Sequence, residues 1–177
     1  MKIQQVILVN ENDEQTGTIE KIEAHEKALL HRAFSIFIFN NKGEMLLQQR
    51  AIKKYHSGGL WSNTCCSHPQ PGEETIEAAQ RRLFEEAGFN TGLEKIFDFI
   101  YKVDFENGMS EYELDHVFIG KYDGKVNFNK DEAMDFCYKK MEDISYSIQT
   151  HPQKYTAWFL IAFPKIKDWW NSHFNRT

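Results

Sequence analysis

Apolar positions along this chain follow two rhythms, every second residue in some segments and every third or fourth in others. Gln5–Asn10 is a short apolar run that reads as a strand, and a turn follows around Asn12–Asp13. Lys21–Leu30 carries scattered polar residues and reads as irregular or briefly helical. Phe34–Phe39 sets large apolar side chains around Ser35 and predicts a strand. Asn40-Asn41-Lys42-Gly43 is a turn signal, after which Met45–Arg50 is expected to return as the second strand of a hairpin. Tyr55–Pro71 has no periodicity and is rich in Gly, Ser, Asn, His and Cys; long structured loops of this kind commonly carry function.

Glu73–Gly88 has the clearest helical pattern. Ile76, Ala79, Leu83 and Ala87 make one apolar stripe, acidic residues fill the first turn, and Gly88 stands where a helix stop belongs. Ile96–Val103 and Glu111–Ile119 read as alternating strands joined through Glu106-Asn107-Gly108. Met134–Lys140 is a further strand, and Pro152–His173 a helical region with a break or kink at Pro164. Strands around a central helix, with another helix at the end, predict an α+β or α/β fold. The length fits a single domain over residues 1–177 with a sizeable core.

Composition narrows the function. With Lys+Arg 21 against Asp+Glu 26, the net charge is −5, which argues against nucleic-acid and membrane-surface partners. Aromatic residues at 14% exclude disorder. No apolar run approaches the roughly 18 residues of a membrane span, and the N-terminus turns polar too early for a signal peptide. Three cysteines, two of them adjacent, suit a reduced compartment, so the expected location is cytoplasmic.

Four groups of residues could carry chemistry. Trp61-Ser-Asn-Thr-Cys65-Cys66-Ser67-His68-Pro69 brings a thiol and an imidazole into one loop, although a lone cysteine is most often a small buried hydrophobe. His25, His31 and His68 are candidate metal ligands, and equally candidate core or surface histidines. Glu111 and Glu113 lie two apart on a strand and share a face, with Asp115 continuing the row, which suits either a bound cation or the solvated side of an edge strand. On the helix, Arg81, Arg82, Glu85 and Glu86 are expected on the side away from the apolar stripe. There they could be surface ion pairs, or a metal-binding carboxylate beside a phosphate-binding arginine. Lys21, Arg50, Lys53 and Lys54 are cations near these segments.

Ser67, Glu73 and the run Arg81-Arg82-Leu83-Phe84-Glu85-Glu86-Ala87-Gly88-Phe89 resemble a degenerate Nudix box, with Ser67 where Gly is usual and Arg82 where Glu is usual. The chain from about residue 5 to about residue 165 resembles the type I isopentenyl-diphosphate isomerase branch of that superfamily. Thr16–Lys21 with His25 and His31, Arg50 with Lys54, Trp61 to Pro69, Tyr101, Glu111-Tyr112-Glu113 and Trp158 carry the likeness.

The resemblance implies a Nudix fold, a mixed sheet flanked by helices in an α/β/α sandwich-like arrangement. It implies interconversion of isopentenyl and dimethylallyl diphosphates by proton addition and removal, with Cys66 and Glu113 as the acid/base pair and Tyr101 assisting. Metal ligands would be His25, His31, His68, Glu111 and Glu113 for one Mn²⁺, Zn²⁺ or Mg²⁺, and Glu86 for a diphosphate-bridging Mg²⁺. Lys21, Arg50, Lys54 and Arg82 would hold the diphosphate, and Trp61 and Trp158 would face a carbocation. The expected partner is this small-molecule substrate, and the expected state a monomer or weak dimer. A Nudix hydrolase of a nucleoside diphosphate derivative is the alternative, and a non-catalytic Nudix-like module ranks below it.

Overall fold

The structure is a computed structural model and describes residues 4–54 and 56–174. Tyr55, where the irregular segment is expected to begin, lies outside the described residues, as do Met1–Ile3 at the polar N-terminus. The strands are β1 (Gln5–Val9), β2 (Gln15–Glu20), β3 (His31–Phe39), β4 (Met45–Arg50), β5 (Trp61–Ser62), β6 (Cys65–Ser67), β7 (Leu93–Asp104), β8 (Ser110–Lys121) and β9 (Ala133–Lys139). The helices are α1 (Lys21–Glu26), α2 (Thr75–Ala87), α3 (Met141–Thr150) and α4 (Ala157–Phe174).

All these strands connect into one mixed sheet. β3 lies at its middle, antiparallel to β1 and β6 and parallel to β8, while β7 pairs antiparallel with β8. The alternation on β3 explains the layers. Phe34, Ile36 and Ile38 face one side and pack with Ala78, Ala79, Leu83 and Ala87 of α2. Phe37 and Phe39 face the other and pack with Met141 and Ile144 of α3 and Trp158, Phe159 and Phe163 of α4. The result is a sheet between helices, as the resemblance implies. No helix among the described residues is long and apolar enough to cross a membrane.

Four expectations need correction. β3 and β4 are joined by the Asn40–Gly43 turn but pair only at Phe39–Met45. β4 instead spends its hydrogen bonds on β9 and β5, so no extended hairpin forms. The Tyr55–Pro71 segment is not wholly irregular, because Trp61–Ser62 and Cys65–Ser67 join the sheet as β5 and β6. The polar side of α2 is not all outward: Glu86 is 3% exposed, turned toward Cys65. Pro164 sits inside one continuous helix, with the expected break appearing earlier, as a 3-10 turn at Pro152–Lys154.

Candidate active site

Strand register assembles the site. Tyr101 of β7 is the cross-strand partner of Glu113 of β8, and Glu113 in turn pairs with His31 of β3. Residues far apart in sequence thus stand in one row on the α4 side of the sheet. Because β8 lies between β3 and β7, it is not an edge strand, and Glu111 and Glu113 are both 6% exposed. The reading of those glutamates as a solvated polar face is therefore wrong: two carboxylates this deeply buried need partners.

One ligand atom from each of His25, His31, His68 and Glu113 lies within 4.8 Å of the others. The Nε2 atom of His31 is 3.2 Å from Nε2 of His25 and 3.2 Å from Nε2 of His68. Glu113 Oε1 stands 2.9 Å from His68 Nε2 and 3.4 Å from His31 Nε2. His31 Nδ1 is 2.7 Å from the Leu29 carbonyl; donating there orients the ring and leaves the Nε2 lone pair directed into the group. Burial, above all, pushes the His25 imidazole down to about 3 and that of His68 down to about 4, so both are neutral at physiological pH. Neutral imidazoles with converging lone pairs, beside a carboxylate, are a donor set that fits a divalent cation.

Glu111 is not in that group. Its Oε1 lies 3.3 Å from His56 Nε2, and its Oε2 accepts from the Tyr101 hydroxyl at 3.1 Å. Tyr101 also donates to Glu113 Oε2 at 2.7 Å. Burial and the charge of Glu113 raise the Glu111 carboxyl well above its ordinary range. Burial acts on Glu113 in the same direction, but the imidazoles of His68 and His31 outweigh it and hold Glu113 well below that range. Tyr101, raised by burial and both glutamates, keeps its proton.

A cavity of about 570 Å³ opens in front of this cluster, and Lys21, Arg50, Lys54 and Arg82 all line it. Burial is the main cause holding the Lys21 ammonium below its ordinary value; Lys54, Arg50 and Arg82 add to this while Glu113 opposes it. Arg82 pairs with Glu86 and, through Nη1 at 2.7 Å, with Glu85. Arg81, by contrast, turns back to clasp Glu73 through Nε and Nη2 at 2.7 and 2.8 Å.

Cys65 and Cys66 point to opposite faces of β6. Cys65 is enclosed with the α2 cluster, whereas Cys66 lines the cavity. Cys66 donates to Asn63 Oδ1 at 3.0 Å, and burial pushes its thiol well up, so it is a neutral S–H group. Trp158 also lines the cavity, and the Arg50 guanidinium carbon lies 5.0 Å from its ring centroid. Trp61 does not line the cavity and packs against the core shared with α4.

His56 and Glu132, which also line the cavity, were not singled out from the sequence. His56 stacks on Phe105 with centroids 4.7 Å apart and meets Trp158 edge-on at 5.6 Å. Its place in the histidine-bearing irregular segment was the only available hint. Glu132 pairs with Lys54 and lies 3.3 Å from Arg82 Nη2, and nothing in its local pattern marks it.

The fold and its central helix define the class: the NUDIX domain profile matches residues 29–159, and the chain belongs to the NUDIX family. Within that family it belongs to the isopentenyl-diphosphate Delta-isomerases. It is 48% identical over 172 residues to the isopentenyl-diphosphate Delta-isomerase of Pectobacterium atrosepticum, covering 97% of this chain and 96% of that one. It is 46% identical over 162 residues to isopentenyl-diphosphate Delta-isomerase 2 of Aromatoleum aromaticum, covering 92% and 86%. Among solved structures, DR0079 from Deinococcus radiodurans superposes with a TM-score of 0.77 at 18% identity, covering 92% of this chain and 98% of that one. The MutT protein from Methanosarcina mazei Go1 gives 0.63 at 21% identity, covering 84% and 96%. These two share the fold.

Proposed function

We propose that this chain interconverts isopentenyl and dimethylallyl diphosphates, adding a proton to one carbon of the substrate and removing one from another. The observation that carries the reading is a neutral thiol, Cys66, and a carboxylate, Glu113, facing the same cavity that four cations also line. An unactivated alkene is a weak base, so its acid must be close, oriented and kept from water. Glu113 is held by the Tyr101 hydroxyl, which can pass a proton to it or from it. One proton enters as another leaves, so the reaction consumes no co-reactant.

A divalent cation bound by His25, His31, His68 and Glu113 would fix that carboxylate and tune its basicity. Glu111, two residues along β8 from Glu113, and Glu86, beside the arginine that replaces a box carboxylate, complete the proposed ligands. We assign Mn²⁺, Zn²⁺ or Mg²⁺ to the His/Glu group and Mg²⁺ to Glu86. Lys21, Arg50, Lys54 and Arg82 would hold the diphosphate. Trp158 already receives a guanidinium at its ring, and a desolvated cation in that position is stabilised by about 2 kcal/mol. Trp61 acts at most through the packing behind it. The same proposal takes the chain as one domain acting in the cytoplasm as a monomer or weak dimer.

The test is to incubate the purified chain with Mg²⁺ and isopentenyl diphosphate in D₂O. Dimethylallyl diphosphate with deuterium at the allylic carbons is expected. Release of phosphate or pyrophosphate without isomerisation would overturn the reading in favour of a hydrolase.

A further inference from the structure

We propose that Ser35 and Asp115 are positioning residues for Cys66, with Asp115 fixing the Ser35 hydroxyl and Ser35 fixing the Cys66 sulfur in the cavity wall. The inference rests on the reading of Cys66 as a proton-transferring group.

Three strands bring these residues together. Ser35 of β3 is the cross-strand partner of Cys66 of β6 on one side and of Val117 of β8 on the other. Asp115 lies two residues along β8 from Val117, so it shares that face. It is 3% exposed. Its Oδ2 accepts from Ser35 Oγ at 2.7 Å, and its Oδ1 has no hydrogen-bond partner among the described residues. A carboxyl group buried on one hydroxyl contact is costly, and an apolar residue there would serve the core better. Stability therefore does not account for it; its one hydrogen bond is with the group that touches the thiol, while burial and the charge of Glu113 raise its carboxyl well above the ordinary range.

The direction of each hydrogen bond follows. Ser35 has a single hydrogen and gives it to Asp115, so an oxygen lone pair faces Cys66 Sγ at 3.4 Å. On the other side, Asn63 gives its amide hydrogens to the carbonyls of Ile36 at 3.1 Å and Cys65 at 3.0 Å. Its Oδ1 must then face Cys66, at 3.0 Å. The thiol stands between two acceptors whose own donors are committed elsewhere. The sulfur is thus held by contacts on two sides. Without Ser35 only the Asn63 contact remains. Neither Ser35 nor Asp115 supplies a ligand atom to the His/Glu group, so bound metal should be unchanged in Ser35→Ala.

The experiment compares the wild-type chain with Ser35→Ala, Asp115→Val and the double variant, all loaded with Mg²⁺ and assayed on isopentenyl diphosphate. For Ser35→Ala, kcat is expected to fall roughly tenfold or more, as small misplacements of a reacting group do. KM should stay within about twofold, with bound metal unchanged. Asp115→Val should lower kcat similarly without lowering the melting temperature, and the double variant should be no slower than Ser35→Ala. Ser35→Ala at wild-type kcat overturns the proposal, as does a loss confined to KM or metal content, or a double variant whose losses multiply. If Asp115→Val does not fold, the Ser35→Ala kcat and KM decide the matter alone. A wild-type chain that does not isomerise overturns the functional reading; one that does, with Ser35→Ala equally fast, overturns only the positioning role.

Discussion

His56 is the clearest case of a side chain whose chemistry is set by its surroundings. It is buried against Phe105 and Trp158, and burial, followed by the charge of Arg50, drives its imidazole down to about 3. An unfolded histidine titrates near 6.5. Below that pH the unfolded chain takes up a proton that the native chain refuses, so stability falls as pH drops from about 6.5 towards 3. Between pH 7 and pH 5 this single group removes about 2 kcal/mol. A His56→Phe variant, whatever its stability at pH 7, should lose about 2 kcal/mol less than wild type over that interval. Urea denaturation at the two pH values checks it, and equal losses would show that His56 titrates normally. At this scale the sequence was partly legible. His25, His31, His68, Cys66 and Glu113 were found through spacing and family resemblance. His56, Glu132 and the Asp115–Ser35 pair were not, because their meaning lies in contacts across 78 or 80 residues of chain or in a loop without periodicity.

Among the elements, α2 does most to place cavity residues, and its end depends on one backbone conformation. Gly88 closes the helix at φ 77° in the left-handed region, and a Cβ there would meet the Asn127 carbonyl oxygen at 2.7 Å. The approach is tight because Asn127 N bonds to Ala87 O at 3.0 Å and Asn129 N to Glu86 O at 2.7 Å. Those bonds strap the β8–β9 connection to the helix and bring Glu132 to Arg82. Gly88→Ala should cost about 2 kcal/mol or more, from the left-handed strain plus the displaced strap. Chemical denaturation measures the cost, and a change under about 0.5 kcal/mol would mean that the strap yields freely. The helix was legible because its stripe and glycine stop are both local. β2 was not: Gln15-Thr-Gly-Thr-Ile-Glu has one large apolar residue and lies at a sheet edge, so burial imposes no alternation. α3 was passed over although Met141, Ile144 and Ile148 fall on one face, since ten residues ending beside Pro152 gave too short a period to separate from a loop.

For the molecule as a whole, a net charge of −5 describes the outside better than the cavity. Lys21, Arg50, Lys54 and Arg82 come from four separate elements or loops to line one cavity, which Glu111 and Glu113 also line. The cavity thus suits a diphosphate although the average charge does not. The same arrangement concentrates an electrostatic cost. Three imidazole nitrogens and a carboxylate oxygen are packed within 4.8 Å, and desolvated lone pairs at that spacing repel unless a cation lies among them. The folded chain therefore offers a preformed site that the unfolded chain lacks, and a cation binding only the native state stabilises it by mass action. At free metal one hundred times Kd the gain is about 2.7 kcal/mol. For a chain of this size that corresponds to roughly 5–10 °C in melting temperature. Exhaustive chelation should lower the melting temperature by that amount, and adding back Mn²⁺, Zn²⁺ or Mg²⁺ singly should restore it to different extents, ranking the ions for the His/Glu group. The control is His31→Ala, which removes the ligand shared by both short imidazole contacts. In that variant chelation should shift the melting temperature by less than about half as much. An unchanged melting temperature on chelation, in a preparation shown to lose its metal, would mean that the four donors do not form a stabilising cation site.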